Sequence, residues 1–290
     1  MVITGRIYAI NPDDRIIAIK HKRAIRYYYI QRSLFSDMAK YLTPNRFVQF
    51  KIYDDQTRVR SGVKVETIDH FIRIMSIRKR ENIVYYDTRK HKHETRDLLN
   101  NLDYKCFLDL EMSMHPYYVD KTFVQEVIQV GYLLVDKNDN VIQRYETMVK
   151  PTRHKSITKR TKKFLNITQE DVNKGISFHE FYEHFEAMLN EYNPAIFIWG
   201  KNDYLALRDG YRVNDLPSLK PVTRYINLLQ LHKNYFHLQN DIGLFNCLKL
   251  YQNIKRQQVH DALEDAKATF DIYKGFKRVL NGKLRMNLKR

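Results

Sequence analysis

Five residues spread over 157 positions have the types and spacings of a cation-assisted hydrolytic site. In the run Lys105-Cys106-Phe107-Leu108-Asp109-Leu110-Glu111-Met112, two acids stand two apart within an apolar segment. On a strand that spacing aims Asp109 and Glu111 from the same face. Two carboxylates side by side in apolar surroundings repel one another and resist loss of water. A divalent cation relieves both penalties, because hard cations take oxygen ligands. The bland reading, both acids on the solvent face of an edge strand, is equally open from this run alone.

Two further segments offer partners. In His260-Asp261-Ala262-Leu263-Glu264-Asp265-Ala266, the spacing of Asp261 and Glu264 is that of a helix cap, so a helix should begin near Ala262. Ala262, Ala266, Phe270, Tyr273 and Leu280 trace its buried stripe, with Asp265 beside it one turn in. His260 then precedes the first turn, where a loop can aim it at the same point. In Ile198-Trp199-Gly200-Lys201-Asn202-Asp203, a buried strand ends, Gly200 turns the chain, and Asp203 falls at a helix start. Acids are favoured there by the helix dipole, which is a sufficient structural reason for Asp203 taken alone.

The elements around these residues set the fold class. From Tyr104 onward strands are expected at 105–113, 125–135 and 141–150, the last two joined through Lys137-Asn138-Asp139-Asn140. Ser177-Phe178-His179-Glu180 is a capping box, and the helix behind it has Phe178, Phe181, Phe185, Met188 and Leu189 on one face. A short strand at Ala195–Trp199, a helix after Asn202, a strand near 225–228 and two or three closing helices complete an α/β layer with a mixed sheet.

The first 80 residues read differently. Strands rich in β-branched and aromatic residues are expected at 3–10, 15–20, 25–30, 47–53 and 63–74, with Asn11-Pro12-Asp13-Asp14 as a hairpin turn. Five short strands in this length imply a small all-β barrel. Thr4-Gly5-Arg6-Ile7-Tyr8, Ile16-Ile17-Ala18-Ile19 and Tyr27-Tyr28-Tyr29-Ile30 fall where OB or cold-shock domains place their opening strands, and the segment resembles them. That resemblance implies binding of single-stranded nucleic acid through aromatic stacking and a basic groove, with Tyr8, Arg26, Tyr27 and Tyr29 as candidates. The charged stretch 81–102, with Arg89-Lys90-His91-Lys92-His93, reads as a linker with a short helix near Glu94–Asn100.

Composition points the same way. The chain of 290 residues has 50 Lys and Arg against 33 Asp and Glu, a formal charge of +17, which attracts polyanions. The two cysteines read as small core residues, no apolar run is long enough to span a bilayer, and the start lacks the pattern of a secretory signal. A cytoplasmic protein is expected.

Taken in order, Asp109-Leu110-Glu111, Asp203 and His260-x-x-x-x-Asp265 resemble the motifs of the DEDDh-type 3′→5′ exonuclease superfamily, whose fold is ribonuclease H-like. Val149-Lys150-Pro151 and Leu165-Asn166-Ile167-Thr168 agree as landmarks, and the likeness covers about residues 104–280. The Trp199-Gly200-x-x-Asp203 form is most similar to the RNA-trimming branch. The resemblance implies two divalent ions, Mg²⁺ or Mn²⁺, held by Asp109, Glu111, Asp203 and Asp265, with His260 as base. It also implies single-stranded substrate, RNA ahead of DNA, and the short apolar runs lead us to expect no membrane partner. Two departures stand out: Met112 follows the Asp-x-Glu where the terminal nucleotide is held, and Gln129 occupies a second-strand position that is often acidic. A DNA repair or proofreading exonuclease, and a binding protein without catalysis, are the rival readings. Expected domains are thus a barrel at 1–80, a linker at 81–102, the exonuclease domain at 103–282 and a basic tail at 283–290.

Overall fold

Alternation of apolar and polar residues builds the N-terminal strands, and the polypeptide closes them on themselves. The computed structural model describes residues 1–21, 24–77, 82–117, 123–219, 224–238, 240–252 and 260–286. It contains two compact units, one built on residues 1–95 and the other on 96–236 and 240–290.

In the first unit β1 (Val2–Asn11), β2 (Ile16–His21), β3 (Ala24–Tyr29), β4 (Phe47–Arg60) and β5 (Val63–Ser76) form a sheet. The order is β3-β2-β1-β4-β5, and β3 also pairs with β5 in parallel through Tyr27 to Tyr29 against Val65 to Thr67. That last pairing closes a five-stranded barrel. Helix α1 (Arg32–Met38) lies between β3 and β4. Ile7, Ile17, Ile19, Tyr28, Val48, Phe50, Ile68 and Phe71 fill the interior, with the Tyr28 ring edge-on to Phe50 at 4.9 Å. As alternation requires, Tyr28 faces inward while Tyr27 and Tyr29 lie on the outer side.

Most of the stretch expected to be a charged linker is ordered secondary structure, and the short helix expected near Glu94–Asn100 is the second half of a longer one. Strand β6 (Ile83–Asp87) pairs antiparallel with β5, and Arg73 on β5 donates to the Asp87 carboxylate at 2.7 Å. Helix α2 (Thr88–Asn100) follows, so the basic-histidine run is its exposed face rather than a connector. The helix holds because its last turn supplies an apolar anchor: Leu99 is buried in the core of the second unit. The expected tail at 283–290 is described only to residue 286.

The second unit is a mixed five-stranded sheet of order β11-β10-β7-β8-β9, made of β7 (Lys105–Met112), β8 (Val127–Val135), β9 (Val141–Met148), β10 (Ala195–Ile198) and β11 (Tyr225–Asn227). Two short helices, α3 (Lys159–Leu165) and α4 (Gln169–Asn173), precede α5 (Phe178–Tyr192). The chain continues with α6 (Asn202–Val213), α7 (Leu228–Phe236), α8 (Leu244–Tyr251) and α9 (Ala262–Leu280). Strand β7 supplies both faces: Cys106, Leu108 and Leu110 pack toward α5 and α6, and Phe107 packs toward α8 and α9. Asp109 and Glu111 share the parity of Phe107, so they emerge on the α9 face. Among the described residues no helix is long and apolar enough to cross a membrane.

Candidate active site

The site lies at the C-terminal end of β7, where three elements meet. The first is the strand itself. Its register with β8 places Asp109 opposite Gly131 and Glu111 opposite Gln129. Both acids are half-buried.

Helix α6 delivers the second element. Gly200 turns the chain after β10 with φ +100°, a conformation that suits glycine. Asp203 follows in the first turn of α6 and is buried. Its carboxylate accepts the backbone N–H of Leu110 at 3.0 Å, which ties the helix start to β7.

Helix α9 delivers the third. Its N-cap is Asp261, whose side chain accepts from Glu264 N at 2.9 Å, and the helix begins at Ala262 as its sequence predicts. Gly131 explains why it sits so close: a methyl group there would overlap the backbone of Ala262 and Leu263. The approach buries Asp265 at 4% exposure. His260, just ahead of the cap, has a left-handed backbone with φ +53°, and its ring packs on that of Phe164 at 4.1 Å.

The carboxylates and the imidazole converge. Ligand atoms of Glu111, His260 and Asp265 all lie within 4.8 Å of one another. Burial, then the charges of Asp203, Asp265, Glu111 and Asp261, drive the Asp109 carboxyl well above the usual range. Glu111 is pushed up to about 8 by burial and then by Asp265, Asp203 and Asp261. Burial raises Asp203 to about 7 against the N–H of Leu110, which favours its ionised form. Burial lowers His260. A bound cation would relieve such mutual repulsion, and a set of carboxylates with one imidazole suits a divalent metal ion.

Of the expected binding residues, Met112 is half-buried against the apolar core beside β7. Tyr8, Arg26, Tyr27 and Tyr29 belong to the other unit. Tyr8 and Arg26 are exposed and Tyr27 is partly so. Tyr29 departs from expectation: it is 6% exposed, packed with Ile16 and Val65, with the Arg60 guanidinium 4.0 Å above its ring. Its face is already stacked, so it offers no open platform for a base.

Two residues at the site escaped the sequence reading as contributors to its geometry. Gln129 donates through Nε2 to Glu146 and to Asp261, each at 3.1 Å, and so fixes the start of α9. A glutamate there would add a third carboxylate to the pair; the amide is what this arrangement needs. Phe164 gave no signal because nothing local links it to a histidine 96 positions away.

The region that carries this site is similar to known exonucleases. The model of the exonuclease family (RNase_T) matches residues 106–273. A probable 3′→5′ exonuclease, KapD of Bacillus subtilis (strain 168), is 29% identical over 169 residues, 58% of this chain and 81% of that protein. Among solved structures, the nuclease domain of 3′hExo, a DEDDh family member bound to rAMP, is similar with a TM-score of 0.53 at 19% identity. The match covers 66% of this chain and 98% of that one. A 3′-exonuclease in the structure of 3′-end recognition of the histone mRNA stem-loop also has a TM-score of 0.53, at 17% identity over 69% and 74% of the two chains. With Asp109, Glu111, Asp203, His260 and Asp265 in the order of the DEDDh motifs, the chain belongs to the exonuclease family and is a 3′→5′ exonuclease.

Proposed function

We propose that the protein hydrolyses single-stranded RNA from its 3′ end, using two divalent cations held by Asp109, Glu111, Asp203 and Asp265, and releases nucleoside 5′-monophosphates. The observation that carries this is the convergence of four carboxylates from β7, α6 and α9 with the His260 imidazole. Bound cations would neutralise the carboxylates and polarise the phosphodiester as Lewis acids. His260, neutral near pH 7 because burial lowers it, accepts the proton of the attacking water. Oxygen from that water bonds to phosphorus, the bond from phosphorus to the 3′ oxygen breaks, and that oxygen takes up a proton. Leu110 N–H and Gln129 hold Asp203 and the α9 start in place throughout.

Preference for RNA is supported by the RNA-trimming form of the Asp203 motif, and two of the similar structures above concern a ribonucleotide, rAMP, and the histone mRNA stem-loop. In the N-terminal barrel, a domain over about 1–80, exposed Tyr8 and Arg26 with Tyr27 are proposed to contact the strand. Met112 is proposed to bear on the terminal nucleotide. The buried free thiols of Cys106 and Cys247 suit a reducing, cytoplasmic setting.

The test is digestion of matched 5′-labelled RNA and DNA single strands with Mg²⁺ or Mn²⁺, with EDTA and Asp109→Ala controls. A metal-dependent ladder on RNA, lost in both controls, is expected. A ladder on DNA alone would overturn the substrate assignment, and an undiminished Asp109→Ala ladder would overturn the site.

A further inference from the structure

Positions 148–169 contain seven Lys and Arg and no acidic residue. Arg153, Lys155, Lys159, Arg160 and Lys163 are exposed, and among the described residues no carboxylate lies within ion-pair distance of them. Other helices of the same unit pair their cations: Lys174 with Glu170, Lys267 with Glu264, and Lys274 with Asp271. A solvated face with nothing to bind is usually mixed in sign, and this one is not.

The run is also fixed in place beside the chemistry. On α3, Thr161 is fully buried and its hydroxyl accepts Met114 N at 2.9 Å, while the Thr158 hydroxyl donates to Met114 O at 3.0 Å. Met114 lies three residues beyond Glu111. One turn on, Phe164 carries the His260 ring. With Thr161 and Leu165 facing the interior, Lys159, Arg160 and Lys163 share the outward face, within about 8 Å of Phe164 along the helix axis. A polyanion approaching a site lined by carboxylates is repelled, and a neighbouring unpaired cationic surface supplies the opposing attraction.

We propose that this face of α3, continued by Arg153 and Lys155, is the track for the strand upstream of the scissile bond, its phosphates held by Lys159, Arg160 and Lys163. The inference rests on the reading of the substrate as a single-stranded nucleic acid. A dinucleotide offers only the scissile phosphate and so cannot engage the track.

The experiment compares the full-length chain with a variant carrying Lys159→Gln, Arg160→Gln and Lys163→Gln. It measures kcat/KM on a labelled RNA dinucleotide and on a fifteen-nucleotide oligouridylate, and binding of the longer strand in EDTA at several salt concentrations. The expected result is a loss of about tenfold or more on the long strand, with dinucleotide cleavage unchanged within about twofold. The slope of log affinity against log salt should shrink by about 2, roughly 0.7 for each of three lost phosphate contacts. An unchanged slope, or equal losses on both substrates, would overturn the track. If the wild-type chain cleaves neither substrate, the exonuclease reading of the substrate fails, and the binding slope in EDTA still decides whether this face holds the strand.

Discussion

The carboxylate of Asp203 accepts the N–H of Leu110, the residue that separates Asp109 from Glu111. One acid of the site thus fixes the backbone that presents the other two. Charge and architecture are separable here. Asp203→Asn keeps an acceptor for Leu110 and removes the charge, so its thermal stability should match or exceed wild type. Asp203→Ala leaves a buried N–H without a partner, which costs about 1–3 kcal/mol. Both should lose at least about 100-fold in kcat. Equal melting temperatures for the two variants would show that the hydrogen bond carries no weight.

Stability without metal should fall as pH rises. Glu111 and Asp203 have folded-state values of about 8 and about 7, above their ordinary values in an unfolded chain. Across that window the folded protein retains protons that the unfolded chain has released, so unfolding becomes easier with rising pH. Glu111→Gln removes one such group. In EDTA it should therefore be more stable than wild type at pH 8, by about 1–3 kcal/mol, and equal to it near pH 4.5. Mn²⁺ should reverse the order at pH 8. Calorimetry of both proteins at the two pH values, with and without the ion, is the check.

The role proposed for His260 needs its neutral form, and burial depresses its affinity for protons. With metal saturating, kcat should fall on the acid side with an inflection below the ordinary histidine value of about 6.5. His260→Ala should lose about 10²–10⁴ in kcat and flatten that limb. A pH profile of the same shape in the variant would remove His260 from the reaction.

Gln129 and Gly131 make a paired prediction about the seat of α9. Gln129→Glu turns two hydrogen bonds to carboxylates into repulsion and should cost about 1.5–3 kcal/mol. Gly131→Ala forces the first turn of α9 away from β8 and should lower activity even where the chain still folds. Urea unfolding gives the first quantity and single-turnover rates the second. A Gly131→Ala enzyme of normal rate would mean that the close approach does not place Asp265.

Much of this is legible in the amino-acid sequence alone, for identifiable reasons. The period of two in β7 put Asp109 and Glu111 on one face, and the Ser177 and Asp261 caps located the starts of α5 and α9, because these signals are local. The barrel strands showed through their β-branched and aromatic runs. What stayed hidden was set by distant partners. Strand β6 lies between the charged runs at 78–80 and 89–93, so it and the first half of α2 read as linker, and only Arg73 and the core around Leu99 reveal their pairing. Alternation told which tyrosines share a face, but not that Arg60 covers Tyr29. Nor could spacing show that Gln129 holds Asp261, 132 residues on.

At the far end of the sheet, Asp139 binds Lys105 and Lys277, each at 2.8 Å. Those residues belong to the start of β7, the hairpin between β8 and β9, and the last turns of α9. Helix α9 is thereby held at two points, the Gly131 seat near its beginning and the Asp139 clamp near its end, with Asp265 close to the first. It behaves as a beam pinned at both ends. Removing the Asp139 carboxylate, whose partner Lys277 lies about 18 Å along the helix from Asp265, should let α9 tilt about its Gly131 seat without altering any group at the site.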